Sequence, residues 1–307
     1  MKIKNQRQRR GEGEAPSALP REGATRGPVI DFHTHFFPDK LLNALWRWFE
    51  KNAWPIHYKM YADEMVKTLK QNGVTRAVSL HYPHQSGMAA SLNEWTYRLA
   101  QAYPDFLIPF GSLHPDDRDK ESLLKTCFEE YGFSGLKFHC HVQKMAPEDK
   151  RMEPVYEICQ DLGKIVLIHC GTGPHFKENP ERGYGYDVTT LSGVEHFERV
   201  LKKYPRLKFV VPHLGFEEME EFVGLLGEFP NLFLDTTMTL SSFFPNPVKR
   251  EWLSDHADRI LFGTDFPNIP YEWGREKKGL EDLKLGREKE AMILYRNAAR
   301  LLSLQDL

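Results

Sequence analysis

Short runs of β-branched and aromatic residues recur along the chain, and each is followed by a stretch whose apolar positions repeat with helical spacing. The first run is Val29-Ile30-Asp31-Phe32, followed by amphipathic stretches over 40–52 and 62–71, with Gly73 placed as a helix stop. Ala77-Val78-Ser79-Leu80 comes next and precedes a helical pattern over 88–102, closed by Pro104. Leu107-Ile108-Pro109-Phe110 leads to a helix near 119–130, although Pro109 has no N–H for a ladder and sits awkwardly inside a sheet. Gly135-Leu136-Lys137-Phe138 precedes a helix over 153–162. The fifth run, Ile165-Val166-Leu167-Ile168, is apolar throughout, as a strand covered on both faces requires. Lys208-Phe209-Val210-Val211, Leu232-Phe233-Leu234 and Arg259-Ile260-Leu261-Phe262 complete the series.

Eight such runs alternating with helices predict a (β/α)8 TIM barrel in a single α/β domain over residues 28–307. A doubly wound sheet usually stops at five or six strands, and no G-x-G-x-x-G follows the first run. Residues 1–27 differ in texture: rich in Arg, Glu, Gly and Pro, almost empty of large apolar side chains, and net +4. They predict a basic flexible tail without the apolar stretch of a secretory signal. The body then carries −6 of the chain's net −2, a balance that predicts no nucleic-acid partner. With 41% hydrophobic and 27% charged residues the chain is globular, and no apolar run is long enough to predict a membrane span. The four cysteines form no C-x-x-C pair and read as free thiols in a reducing cytoplasm.

The thirteen histidines carry the chemical hint, and their positions give it content. In a barrel, residues at the C-terminal ends of strands face one mouth whatever their separation in sequence. Asp31-Phe32-His33-Thr34-His35 lies at the first strand end, where alternation puts His33 and His35 on the same side. His169 follows the fifth strand, His213-Leu214-Gly215 the sixth, and Gly263-Thr264-Asp265-Phe266-Pro267 the eighth. Three imidazoles and one carboxylate suit Zn²⁺ or a similar divalent ion, with a position left for water.

These motifs resemble the metal-dependent amidohydrolase superfamily, in its amidohydrolase 2 branch. Besides the strand-end segments, Gly135-Leu136-Lys137 and the closing Arg296-Asn297-Ala298-Ala299-Arg300-Leu301-Leu302 match, so the resemblance runs from Pro28 to the end. It implies a metal held by His33, His35, His169 and Asp265, with Asp265 also accepting the proton of the attacking water. His213 would serve as acid/base, carbonyl polariser or ligand to a second ion. Binuclear members of the superfamily carboxylate a lysine ending strand four, where Lys137 stands. A carboxylated Lys137 would bring a second ion, whereas decarboxylase-like relatives need only one. A homodimer is also implied by the resemblance.

Strand periodicity puts Lys137, His139 and His141 on one side and Cys140 on the other, so His139 or His141 is expected near the substrate. A separate zinc site from His139-Cys140-His141 is not expected, nor is Cys140 or Cys170 as nucleophile. Substrate contacts are expected on the loops after the strands: His81, Tyr82 and His84, then His175, Lys177, Arg182, Tyr184 and Tyr186, then Asn268, Tyr271, Trp273 and Arg275. The insert after the first strand carries Trp46, Trp48, Trp54 and His57, which read as packing or a subunit interface. Basic residues among the loops predict a carboxylate-bearing small molecule.

The expected activity is metal-dependent hydrolysis of an amide, lactone or related C–N or C–O bond in a small organic acid. The branch also holds relatives similar to aminocarboxymuconate semialdehyde decarboxylase, so non-oxidative decarboxylation or hydration is the alternative. A catalytically silent binding barrel would be expected to have lost some of His33, His35, His169, His213 and Asp265, and all are present.

Overall fold

The computed structural model describes residues 27–173, 184–186 and 188–304, so most of the expected tail lies outside the described residues. Eight parallel strands stand side by side in chain order. They are β1 (Ile30–His35), β2 (Arg76–Leu80), β3 (Leu107–Gly111), β4 (Gly135–His139), β5 (Ile165–His169), β6 (Lys208–Val211), β7 (Leu232–Asp235) and β8 (Ile260–Leu261). The first and last meet through Phe32 N–H to the Phe262 carbonyl (2.8 Å), Asp265 N–H to that of His33 (2.9 Å) and His35 N–H to that of Phe266 (2.7 Å). The TIM barrel read from the alternation is therefore the fold.

The helices follow the same order. After β1 come α1 (Asp39–Asn52) and α2 (Ala62–Gln71), then α3 (Ala89–Ala102) and α4 (Lys120–Lys125), which widens into a π turn over Thr126–Glu130. Next are α5 (Cys140–Gln143), α6 (Glu153–Asp161), α7 (Thr189–Ser192) and α8 (Val194–Lys203). The last are α9 (Met219–Leu225), α10 (Arg250–Asp255), α11 (Gly274–Asp282), α12 (Arg287–Ala291) and α13 (Asn297–Leu301). Pro109 does lie in β3, and the ladder to β4 begins only after it, at Phe110 and Gly135.

Two apolar layers result from strand alternation. Ile165 and Leu167 of β5 join Phe32, Val78, Phe110, Val210 and Leu261 inside the barrel. Val166 and Ile168 face outward into the larger layer beneath the helices. β1 departs from simple alternation. Ile30 and Phe32 face inward, yet so do His33 and His35, and the pairing with β2 shifts register between Asp31 and Thr34. That irregularity turns both imidazoles into the mouth. Among the described residues no helix is long and apolar enough to cross a membrane, and all four cysteines are buried free thiols.

Two predictions follow from this packing. A methyl group added at Gly135 would stand 2.3 Å from the Ile165 carbonyl oxygen and 2.7 Å from the Phe110 ring. Gly135→Ala is expected to destabilise the protein by about 2 kcal/mol or more, read as a lower urea midpoint; an unchanged midpoint would show that the backbone yields freely there. Glu276 of α11 is buried, bonded to the Tyr271 hydroxyl and to the Leu240 N–H (3.1 Å). Burial pushes its carboxyl up to about 8. A carboxyl raised on folding favours the fold below its unfolded pKa, and that contribution is lost as pH rises through the folded value. Wild type should therefore lose stability relative to Glu276→Gln between about pH 5 and pH 9; a constant difference would mean that Glu276 titrates normally.

Candidate metal centre and the cavity above it

His33 and His35 leave β1 with their Nε2 atoms 3.2 Å apart. Asp265 Oδ1 lies 3.1 Å from His35 Nε2 and 3.4 Å from His33 Nε2. The other ring nitrogens decide what these atoms carry. His33 Nδ1 donates to Asp235 Oδ2 at 2.9 Å, and His35 Nδ1 faces the Leu80 carbonyl at 3.4 Å. Burial, reinforced by Lys137 and His35, holds His33 well below the usual histidine range, so it is neutral with its lone pair on Nε2. The Asp265 carboxyl is ionised: burial opposes this, but the His35 hydrogen bond and the imidazoles of His33 and His213 hold it at about 2.

The His33 lone pair and the Asp265 carboxylate thus converge with His35 Nε2, and a divalent ion between them would replace the hydrogen bond that His35 otherwise donates to Asp265. Their spacing is that of ligands: Zn–N bonds of about 2.05 Å give a tetrahedral edge of about 3.3 Å. His169 ends β5 with a buried Nε2 that has no hydrogen-bond partner among the described residues, although its ligand atoms group with those of His139 and His141 rather than with the His33–His35–Asp265 set. Its ring lies 4.8 Å from that of His213. These residues fit a divalent ion.

Two strained segments present the remaining groups. After β6, His213, Leu214, Gly215 and Phe216 all have positive φ, a run that L residues rarely adopt. At Gly215 a Cβ would lie 2.1 Å from the Phe222 ring, so only glycine lets the loop pack down. His213 N–H donates to Asp235 Oδ1 (3.0 Å) and its Nδ1–H to the Thr237 carbonyl (2.9 Å), which leaves the Nε2 lone pair for the cavity. Burial lowers His213 to about 4, against the pull of Asp265 and Asp235. Asp265 itself has φ 71°, fixed by its N–H to the His33 carbonyl.

Lys137 is wholly buried, with Nζ 3.4 Å from His33 Nε2. Burial lowers its ammonium to about 8, opposed by Asp235 and Asp265. His139 pairs in register with His169, and their rings stack at 3.9 Å. The strand ends at His139, so His141 reaches the mouth through the turn into α5 rather than by alternation. His139, His141 and His169 form a second cluster, each offering a ligand atom within 4.8 Å of the others. His141 Nε2 also meets Ser192 Oγ (2.8 Å) and the Gly171 carbonyl (3.1 Å). Burial pushes the Cys140 and Cys170 thiols up, which suits inert packing rather than nucleophilic attack.

A cavity stands over this centre, lined by His35, His139, His169, His213 and Asp265 below and by Trp48, Phe49, Trp54, Phe216 and Met238 around. Tyr82 is one wall, its ring 5.6 Å from His35 and 5.0 Å from His139. Tyr184 and Asn268 also line it, and His84 lies further out. His81 is a correction to the expected substrate contacts. Its Nε2 is taken by Asn93 (2.9 Å) and its Nδ1 by Thr96 (3.0 Å), so it anchors α3 and has no nitrogen left for a ligand. Arg275 is another: it is exposed and lies over the Tyr271 ring, away from the cavity lining. Tyr271 and Trp273 serve packing, bonded to Glu276 and Asp31. Arg182, His175 and Lys177 lie outside the described residues. Trp46 is core, whereas Trp48 and Trp54 face the cavity instead of packing alone.

Asp235 was not among the expected site residues, although it ends β7 by the rule that singles out His169 and His213. The run Leu232-Phe233-Leu234 ends one residue short of it. Asp31, inside a recognised motif, also has an unexpected role. It is buried, raised by desolvation to about 7, and accepts from Thr264 Oγ1 (2.6 Å) and Trp273 Nε1 (2.9 Å), tying β1 to the loop that carries Asp265.

Eight parallel strands with imidazoles and a carboxylate gathered at their C-terminal mouth define a TIM barrel with a candidate metal centre. Residues 30–304 match the amidohydrolase family, and the chain belongs to it. No curated protein matches the chain. Among solved structures it is similar to an uncharacterised TIM-barrel protein from Bordetella bronchiseptica, with 22% identity, a TM-score of 0.69, and 90% of this chain and 98% of that one covered. A dihydroxybenzoic acid decarboxylase from Polaromonas sp. JS666, solved with manganese and 2-nitroresorcinol, is 18% identical at a TM-score of 0.64, covering 91% and 98%. A 4-oxalomesaconate hydratase from Rhodopseudomonas palustris is 20% identical at 0.57, covering 90% and 95%. At these identities the likeness is one of fold.

Asp235→Asn should keep the barrel but leave His33 free to change tautomer and tilt. Zinc affinity, measured by competition with a chromophoric chelator, is expected to fall about 10- to 100-fold. Unaltered affinity would remove Asp235 from the centre.

Proposed function

We propose that the chain is a metal-dependent enzyme that hydrolyses an amide, lactone or related carbon–heteroatom bond of a small organic acid. The observation that carries this reading is the convergence of His33 Nε2, His35 Nε2 and Asp265 Oδ1 within 3.4 Å of one another, with Asp235 turning the His33 lone pair inward. His169, with its unpartnered buried Nε2, completes the set of residues that would hold the ion. The donor set suits Zn²⁺, and the manganese in the Polaromonas decarboxylase makes Mn²⁺ the natural second candidate. A divalent ion held there would lower the pKa of water to about 7 and polarise a substrate oxygen.

The chain's own groups do the rest. Asp265, ionised in its buried position, accepts a proton at its carboxylate. His213 Nε2 faces the same cavity as a neutral base, which can take up a proton and return it to a leaving group. Trp48, Phe49, Trp54 and Phe216 exclude water and favour a flat or unsaturated substrate. Lys137, buried against His33, is the residue that CO₂ would carboxylate if a second ion bound.

Decarboxylation or hydration on the same residues is the second reading, favoured by the activities that two structural neighbours are named for. Against it, among the described residues no arginine lines the cavity to clamp a substrate carboxylate beside the ion. A screen of zinc- and manganese-loaded protein over amides, lactones and aromatic carboxylates, with CO₂ release followed in parallel, separates the two. Chelation should abolish turnover and about one ion per chain should restore it. Asp265→Asn, with metal content matched to wild type, should lower kcat by about 10²- to 10⁴-fold while the circular dichroism spectrum is kept. Turnover unaffected by chelation would sink the metal-dependent reading.

A further inference from the structure

The face that α1 turns toward the mouth is apolar and only partly covered among the described residues, by the core edge and by the Tyr184 ring 5.6 Å from Trp48. Leu42 and Trp46 of this helix are buried in the core. Leu41, Leu45 and Trp48 recur at helical spacing on another face and stay half-exposed, with Ala44 beside them. A helix with one apolar face is explained by its core contacts; a second apolar face needs another occupant. That face lines an outer cavity of about 380 Å³, the size of a ligand site, which Val142, Lys144 and Tyr186 line as well. The cavity over the metal centre is far smaller, about 40 Å³, room for a reacting group and little more. The two adjoin, since Trp48, Phe49, Tyr82, His139 and Tyr184 line both.

The charge in the outer cavity is one-sided. Among its described lining residues there is no carboxylate, and Lys144 is the one lysine or arginine. Lys144 is exposed, makes no ion pair among the described residues, and lies 5.7 Å from the Tyr186 ring centre. Its backbone is left-handed (φ 51°, ψ 51°), just after α5, in a conformation that costs a lysine energy and fixes where the side chain starts.

We propose that the outer cavity is a second substrate subsite, and that the substrate is an elongated acid: its reacting end over the metal centre, a flat or apolar body along Leu41, Leu45 and Trp48, and an anionic end at Lys144. This rests on the metal-dependent reading above and adds to it the shape and charge of the substrate. Lys144 is a specificity residue, set apart from the reacting atoms.

Zinc-loaded protein titrated calorimetrically with benzoate, biphenyl-4-carboxylate and biphenyl-4,4′-dicarboxylate tests the proposal. The dicarboxylate should bind about tenfold or more tightly than benzoate. Lys144→Ala should weaken the dicarboxylate about five- to tenfold and leave benzoate unchanged. Ala44→Trp, which fills the groove from an exposed helix position, should weaken both biphenyl acids and spare benzoate. Equal affinity for all three probes, or Ala44→Trp without effect on the biphenyl acids, would overturn the subsite. Zinc removal gives a separate reading: benzoate affinity indifferent to zinc overturns the metal-centred function, whereas the response of the biphenyl acids to Ala44→Trp still judges the outer cavity.

Discussion

Asp235 is one buried carboxylate with three tasks. One oxygen fixes the tautomer of His33; the other accepts the backbone N–H groups of His213 and Thr237, each at 3.0 Å. It thereby couples the ends of β1, β6 and β7 through charge-assisted bonds in a site shielded from solvent, where such bonds are strongest. The same acceptor braces the strained backbone of His213 and turns the His33 lone pair inward. Burial raises the carboxyl of Asp235, and its donors counter that shift. The mouth is therefore built outward from a buried carboxyl group, and the ligand atoms above it converge within 3.4 Å of one another.

The same economy explains the strained backbone. Four successive positive φ angles after β6 and another at Asp265 are local costs, and each falls on a residue of the centre or beside one. They persist because neighbouring groups overdetermine them: Gly215 seats the first loop on Phe222, and Asp31 with Thr264 anchors the second. Rigid placement of this kind preorganises ligands before any ion arrives.

How much of this was legible in the sequence differs by level. Every strand run, from Val29–Phe32 to Arg259–Phe262, became a strand in the expected order, because buried parallel strands need continuous apolar residues and leave that mark locally. The convergence of His33, His35, His213 and Asp265 was legible too, since the barrel rule maps strand ends to one mouth. What escaped was pairing between distant residues. Nothing near His81 announces that Asn93 and Thr96 of the next helix take both its nitrogens. Arg275 looked like a loop residue aimed at substrate, but it lies on the outer surface of α11. Trp48 and Trp54 have the texture of packing residues, and only the packed arrangement shows that they border a cavity.

The irregularity in β1 lets one strand be read in two frames. Up to Phe32 the even-numbered residues face the barrel axis; past it the odd-numbered ones do. Packing and ligation therefore draw on different residues of the same six-residue segment. Exchanging Ile30 or Phe32 for another apolar side chain changes how the barrel fills, while the imidazoles answer to Asp235 and Asp265 instead. A strand without the shift would have made His33 share the outward face of Asp31, and the lining of the barrel and its chemistry would have competed for the same positions.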